Sequence, residues 1–226
     1  MTVDRHPGAG PLATITLDVA SSDRHLEQIV ELQRRNLRDR VAPDEQATQG
    51  FVFAEHTVPL LRTMAAALPQ VIATSDGAVV GYNLAMSVAL RDAMPQLVPM
   101  FEDFDRTVYR GRPLSTYRFV VGGQVCVDRA FRGRGLLGRL YRETMDRAPR
   151  GVELCVTEIA ARNTVSLRAH RKTGFEVIGS YHDGAELWRI AVWDRGSPPP
   201  RGAAAVAADL PARPRAAPRC TGAAGA

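Results

Sequence analysis

Apolar residues recur along this chain in two periods, and the switches between them outline its elements. Residues 13–19 (ATITLDV) alternate, which predicts a strand, and Ser21-Ser22-Asp23 then offers a helix cap. Leu26, Ile29, Val30, Gln33 and Leu37 fall on one helical stripe among charged neighbours. The polar run 41–50 (VAPDEQATQG) breaks that pattern, and a second helix is expected over about 57–67, ended by Pro69. Residues 70–90 read as two strands around the turn Ser75-Asp76-Gly77. The segment 94–109 mixes Met, Phe and acids and reads as a helix or a lid-like insertion. A long strand covers 115–127, with a bulge or bend expected at Gly122-Gly123.

The second half alternates more regularly. Leu136, Leu137, Leu140, Tyr141, Thr144 and Met145 mark one face of a helix that Pro149 and Gly151 terminate. A strand follows at 152–159, then a short helix from Asn163 closed by Gly174 as its C′ residue. Strands 175–182 and 185–193 meet at Asp183-Gly184. From Gly196 onward there are six prolines and hardly any large apolar residues, a composition that cannot build a core. The expected organisation is a flexible leader at 1–11, one mixed α/β domain at 12–195 and a disordered Pro/Ala/Arg-rich tail at 196–226.

Composition narrows the chemistry. Of a net charge of +5, the tail supplies +3 through four arginines against one aspartate. The remaining domain, at about +2, is a poor nucleic-acid surface, although a mild positive field suits an anionic cofactor. Cys126 and Cys155 sit in the apolar runs VCV and LCV, and with Cys220 they form neither a disulfide framework nor a metal spacing. No His-x-x-His or Glu-x-x-His pair is present, so no metal is expected. The first residues lack a basic stretch followed by an apolar core, and no run reaches membrane-span length. A cytoplasmic protein without a membrane partner is expected.

The sharpest feature is Gly133-Arg134-Gly135-Leu136-Leu137-Gly138, which satisfies the dinucleotide pattern GxGxxG. In a dinucleotide fold, however, the glycines follow the first strand at once, and an acid closes the second strand. Here five residues separate Val127 from Gly133, several elements precede the loop, and Glu153 opens its strand. An NAD-binding oxidoreductase is therefore the distant alternative. The P-loop reading fails because no Gly-Lys-Ser or Gly-Lys-Thr exists. The loop still suits an anion. Its amides lead into the first turn of a helix, where N–H groups lack intrahelical partners and the dipole favours negative charge. Arg132 and Arg134 are expected to add charge-assisted contacts to phosphate.

The run VCVDRAFRGRGLLGRLY resembles the central motif of the GCN5-related N-acetyltransferases, a strand followed by Arg/Gln-x-x-Gly-x-Gly/Ala at a helix start. Arg132 takes the Arg/Gln place and Gly135 the first glycine, while Leu137 stands where Gly or Ala is usual, with Gly138 one residue later. A second block, TEIAARNTVSLRAHRKTGFEVIG, is similar to the family's next motif, with Asn163, His170, Gly174 and Phe175 at its spacings and His170 where tyrosine is usual.

The resemblance implies a mixed sheet splayed between strands 120–127 and 152–159, flanked by helices, the acyl-CoA N-acyltransferase fold. It implies acetyl-CoA as cosubstrate. Backbone groups of Val125, Cys126 and Val127 would hold the pantetheine, and Arg132, Gly133, Arg134, Gly135, Leu136, Leu137 and Gly138 the pyrophosphate, with Asn163 also at the cofactor. It implies acetyl transfer to a primary amine by direct attack in a ternary complex, a small-molecule amine being slightly favoured over a peptide or protein amino group. A homodimer is compatible with it.

An ammonium must lose a proton before attack. Glu158, at the end of the splayed strand, is the candidate base, against the plain reading of a carboxylate that caps a helix or pairs with an arginine. His170 is the candidate acid for the departing thiolate, with CoA contact, structural and base roles as alternatives. Tyr82, Asn83, Glu102, Asp103, Asp105, Tyr109 and Tyr117 are expected near the acceptor pocket. The off-pattern Leu137 and His170 support a rival reading, an acyl-CoA-binding regulatory module with weak or no catalysis.

Overall fold

The computed structural model describes residues 14–91 and 97–197. The expected leader, positions 94–96 of the predicted insertion and the tail beyond 197 lie outside the described residues. Among the described residues nine strands and six α-helices follow the order β1 (Thr16–Val19), α1 (Asp23–Asn36), α2 (Pro43–Gln49), α3 (Val58–Ala67), β2 (Val71–Ser75), β3 (Ala78–Ser87), α4 (Val98–Arg106), β4 (Val108–Tyr109), β5 (Arg112–Pro113), β6 (Phe119–Val127), α5 (Leu136–Arg147), β7 (Leu154–Ala160), α6 (Thr164–Thr173), β8 (Glu176–His182) and β9 (Leu187–Asp194).

Most boundaries have the causes read in the sequence. Ser22 caps α1 by accepting from the His25 amide, and Thr57 caps α3 by accepting from the Leu60 amide. Asp76 and Gly77 take the left-handed backbone that the β2–β3 hairpin requires. Segment 41–50 departs from expectation, because it holds α2 where a break was read. Pro43 starts this helix, Asp44 and Glu45 fill its first turn, and the Gln46 side chain ties it back to the carbonyls of Arg38 and Val41, 2.9 Å each. Hydrophobic periodicity missed it because none of its residues is buried. The small β4–β5 hairpin, turning through Arg110 and Gly111 at positive φ, carries no strong strand pattern either.

Seven strands form one sheet in the order β1-β2-β3-β6-β7-β9-β8, antiparallel throughout except for β6 and β7. Apolar residues of α1, α3 and α4 share one core with Tyr82, Leu84, Leu154, Val156 and Ile190. On the other face Tyr141 and Met145 of α5 pack with Cys155, Ile159 and Phe175. The expected bulge is present: Leu84 faces Gln124 and Ala85 faces Gly122, which leaves Gly123 extra on β6. The extra residue reverses the alternation, so Val121 before it and Cys126 after it enter the same core.

The β6–β7 pairing positions the site. It holds for Phe119↔Leu154, Val120↔Cys155 and Val121↔Val156 and then stops. The next contact is made by a side chain, Thr157 Oγ1 donating to the Gly122 carbonyl at 2.7 Å. Beyond it, β6 stays with β3 as far as Val127↔Gly81, and β7 stays with β9 as far as Ala160↔Trp188. The two central strands therefore diverge.

Candidate active site

A cavity of about 770 Å³ opens against the free edge of β6, bounded by α2, the 133–138 loop, α5 and α6. The Asp128 amide donates to Val80 on β3, which sets the direction of alternate backbone groups. Cys126 accordingly faces Tyr82 in the ladder, and its backbone is committed to β3. Val125 and Val127 turn their backbone the other way, into the cleft, but the Val127 carbonyl already accepts from Arg132 Nε at 2.9 Å. Of the three positions expected to grip an extended ligand, the free groups are the N–H and C=O of Val125 and the N–H of Val127.

At the far end of the cavity, Gly133 (φ +75°) and Gly135 (φ +68°) hold the left-handed backbone that turns the chain into α5. Gly135 is the N-cap, and Arg139 is the residue whose amide reaches back to its carbonyl, at 3.3 Å. The amides of Leu136, Leu137 and Gly138 thus lack intrahelical acceptors at the positive end of the dipole. Leu137, in the place of a smaller residue, packs half-buried against the cluster of Tyr141, Cys155 and Phe175, and its amide stays in this first turn. Gly138 serves packing between helices, since a Cβ there would lie 3.3 Å from Thr173 Oγ1 on α6.

Two residues expected at the cofactor border the cavity with their side chains already bonded to protein groups. The Arg132 guanidinium does not reach toward the loop. It donates to the Val127 carbonyl, to the Gln49 carbonyl (2.8 Å) and Oε1 (3.2 Å), and to Asn36 Oδ1 (2.7 Å), clamping α1 and α2 onto the end of β6. Arg134 remains exposed, over the Phe131 ring with a weak 3.4 Å contact to Ala130. Asn163 borders the cavity, but its amide is likewise engaged. Its Oδ1 caps α6 by accepting from Ser166 N at 3.2 Å, and its Nδ2 donates to the Phe51 carbonyl at 3.0 Å.

Glu158 lies on the opposite face of β7 from Cys155, in the row of Leu154 and Val156. Burial pushes its carboxyl up to about 7, against a hydrogen bond from the Tyr181 hydroxyl and with Asp183 and Asp103 adding to the rise. Where a helix cap or an arginine partner was the plain alternative, the Glu158 carboxylate accepts instead from the Tyr181 phenol. Tyr181 comes from β8, with β9 between it and β7, so nothing local to Glu158 signalled the pair.

His170, the candidate acid for a thiolate, is enclosed by protein groups. The ring is 3% exposed, Nε2 lies 2.9 Å from the Tyr141 hydroxyl and Nδ1 lies 2.8 Å from the Ser166 carbonyl. A carbonyl accepts only, so Nδ1 carries the hydrogen and Nε2 accepts from the phenol. Burial lowers its pKa to about 4, which leaves the ring neutral at pH 7. Burial also raises both thiols, Cys126 and Cys155, to about 12, so neither is a nucleophile at neutral pH.

The expected acceptor-side residues do not converge on one pocket. Tyr82 and Tyr109 are core residues, and Asn83 donates to Thr144 Oγ1 at 2.9 Å. Tyr117 donates to the Tyr109 carbonyl at 2.9 Å. Asp105 pairs with Arg91 (2.6 Å) and Asp103 with Arg106 (2.8 Å), while Glu102 is exposed on α4. Of Glu102, Asp103 and Asp105, Asp103 is the one that contributes, with Asp183, to the field at Glu158. An aromatic cluster not anticipated from the sequence, Phe51, Phe53 and Trp188 packed with Tyr181, reaches Glu158 through the Tyr181 hydroxyl. Among the described residues no group of three or more His, Cys, Asp or Glu is placed to hold a metal ion, and no helix is long and apolar enough to cross a membrane.

The sheet is split at one parallel pair, with a glycine-bounded helix start at its mouth, the layout that the sequence resemblance implies. Comparison with solved structures agrees. The chain is similar to arylalkylamine N-acetyltransferase 2 from Aedes aegypti, at 14% identity and TM-score 0.55, over 80% of this chain and 98% of that one. It is similar to an acetyltransferase of the GNAT family from Streptococcus pneumoniae, at 14% identity and TM-score 0.51, over 80% and 99%. A chain of the NatC complex bound to Gag peptide and CoA matches at 13% identity and TM-score 0.52, over 80% and 98%. The chain thus has the fold of the GCN5-related N-acetyltransferases. No family model matches the sequence, and no curated protein does.

Proposed function

We propose that this protein transfers the acetyl group of acetyl-CoA to a primary amine by direct attack in a ternary complex. The observation that carries the reading is the divergence of β6 and β7, with a cradle of free amides at one end of the gap and a buried carboxyl of raised pKa by the strand that forms its other wall. The pyrophosphate would sit on the amides of residues 133–138, near Arg134, and the pantetheine along Val125 and Val127.

Glu158, ionised in part at neutral pH, takes the proton from the acceptor ammonium. The amine nitrogen then attacks the thioester carbon, and collapse of the tetrahedral intermediate breaks the C–S bond while the nitrogen's second proton passes, through solvent, to the departing thiolate. A thiolate of ordinary pKa near 8.5 leaves without an obligatory acid, so a neutral, enclosed His170 is no obstacle. A small-molecule amine is slightly favoured over a peptide or protein amino group, and residues 12–195 are proposed as the catalytic domain. Removing the chain beyond Ser197 should leave acetyl-CoA affinity unchanged.

Release of CoA thiol across a panel of primary amines and peptides tests the proposal. Turnover with at least one of them is expected. Tight acetyl-CoA binding without turnover on any amine would favour the acyl-CoA-binding module, for which the buried His170 is the supporting observation. Binding of NAD in place of acetyl-CoA would overturn both readings.

A further inference from the structure

The cavity carries more positive charge than a pyrophosphate requires. Its walls include Arg132, Arg134, Arg142, Arg168 and Lys172, and no Asp or Glu. Arg132 is turned inward onto α2, and the other four are exposed. Elsewhere in the molecule ten arginines have a carboxylate within ion-pair distance, whereas among the described residues none of these four cations does. Like charges gathered without counter-charges repel one another, and a bound polyanion relieves that repulsion.

Their placement is specific. On α6, Val165, Arg168, Ala169 and Lys172 all line the cavity, at the i, i+3, i+4, i+7 spacing of a single helical face. The neighbouring Thr173 meets the first turn of α5 at Gly138, and the Arg142 guanidinium reaches the same point, 3.4 Å from where a Cβ at Gly138 would be. Arg142 and the end of α6 therefore flank the turn whose amides are free. That turn and Arg134 already answer two phosphates.

We infer that Arg168 and Lys172, with Arg142 beside them, form a subsite for a third phosphate, the 3′-phosphate on the ribose of CoA, and so make this protein select CoA over dephospho-CoA. The inference rests on the acetyl-CoA reading above. One charge-assisted contact or two of this kind separate the ligands by roughly 10- to 100-fold.

Calorimetry with CoA and dephospho-CoA, on the full chain and on Arg168→Ala/Lys172→Ala, tests it. Both side chains are exposed, so the variant should fold, and its melting temperature provides the control. The wild type should bind CoA at least about tenfold more tightly than dephospho-CoA. In the variant, which keeps Arg142, most of that preference should be lost, with dephospho-CoA binding as in the wild type. Adenosine 3′,5′-bisphosphate should compete with CoA better than ADP does, and only for the wild type. Equal wild-type affinity for CoA and dephospho-CoA would overturn the subsite while leaving the CoA reading intact. Equal losses of both ligands in the variant would assign the pair to the pyrophosphate and also overturn it. Binding of neither ligand to the wild type would sink the acetyl-CoA reading itself.

Discussion

Two side chains show how neighbours set a residue's role. Glu158 would be an ordinary carboxylate in water; walled in by Val156, Ile190 and Tyr181, it titrates near neutrality. Glu158→Gln keeps the shape and removes the basic site. The turnover number should fall roughly 10²–10⁴-fold, with acetyl-CoA affinity little changed. The acid limb of the rate profile, centred near pH 7 in the wild type, should disappear in the variant, as initial rates against pH will show. A variant retaining more than half the activity, with that limb unmoved, would end the case for Glu158 as base. Arg132 has a different kind of role. Its guanidinium joins Val127, Gln49 and Asn36, so Arg132→Ala should cost about 2 kcal/mol of stability in denaturant unfolding. Any loss of CoA affinity in that variant would come through α2 and the strand end, not through a missing phosphate contact.

At the scale of elements, glycines decide where backbones approach and turn. Gly122 lies at the point of divergence, and a Cβ there would sit 2.8 Å from Cε1 of the fully buried Tyr141. Gly122→Ala should therefore destabilise by about 1–3 kcal/mol, the usual cost of overpacking, measured as a shift in the denaturation midpoint. Gly133 differs, since its Cβ would meet open space and only its backbone conformation is demanding. Gly133→Ala should cost about 1 kcal/mol from the left-handed backbone alone. A much larger loss in the Gly133 variant than in the Gly122 variant would contradict this division.

For the whole molecule, three buried titratable groups set a pH dependence of stability. His56 and His170 both fall to about 4, and Glu158 rises to about 7. Between about pH 5 and 6 the unfolded chain holds close to two protons on these histidines and little on the carboxyl, while the folded chain holds one, on Glu158. Unfolded minus folded is one proton, so stability rises with pH by about 1.4 kcal/mol per unit from these groups. The histidine contribution is complete above about 6.5 and lost as pH falls toward 4; the Glu158 contribution has the opposite sign and is lost as pH rises toward 7. Glu158→Gln should thus double the slope, to about 2.7 kcal/mol per unit, in denaturant titrations across that window. An unchanged slope would mean that Glu158 ionises at an ordinary pH.

The sequence by itself determined the strand–helix succession, the β2–β3 turn, the bulge in β6 and the glycine-bounded start of α5. Each of these depends on the hydrophobic period or the backbone freedom of a few adjacent residues, so the information is local. Helix α2 escaped notice because it buries none of its residues and so imprints no stripe. The site divides in the same way. That Gly133 and Gly135 would turn the chain into a helix whose first amides are free follows from residue type and spacing. That Arg132 grips Gln49 and Asn36 across 83 and 96 residues, that Tyr181 reaches Glu158 over an intervening strand, and that Tyr141 and Ser166 enclose His170 does not. Those roles are set by which acceptors and how little water surround a side chain once the sheet has closed, and only the tertiary structure supplies that surrounding.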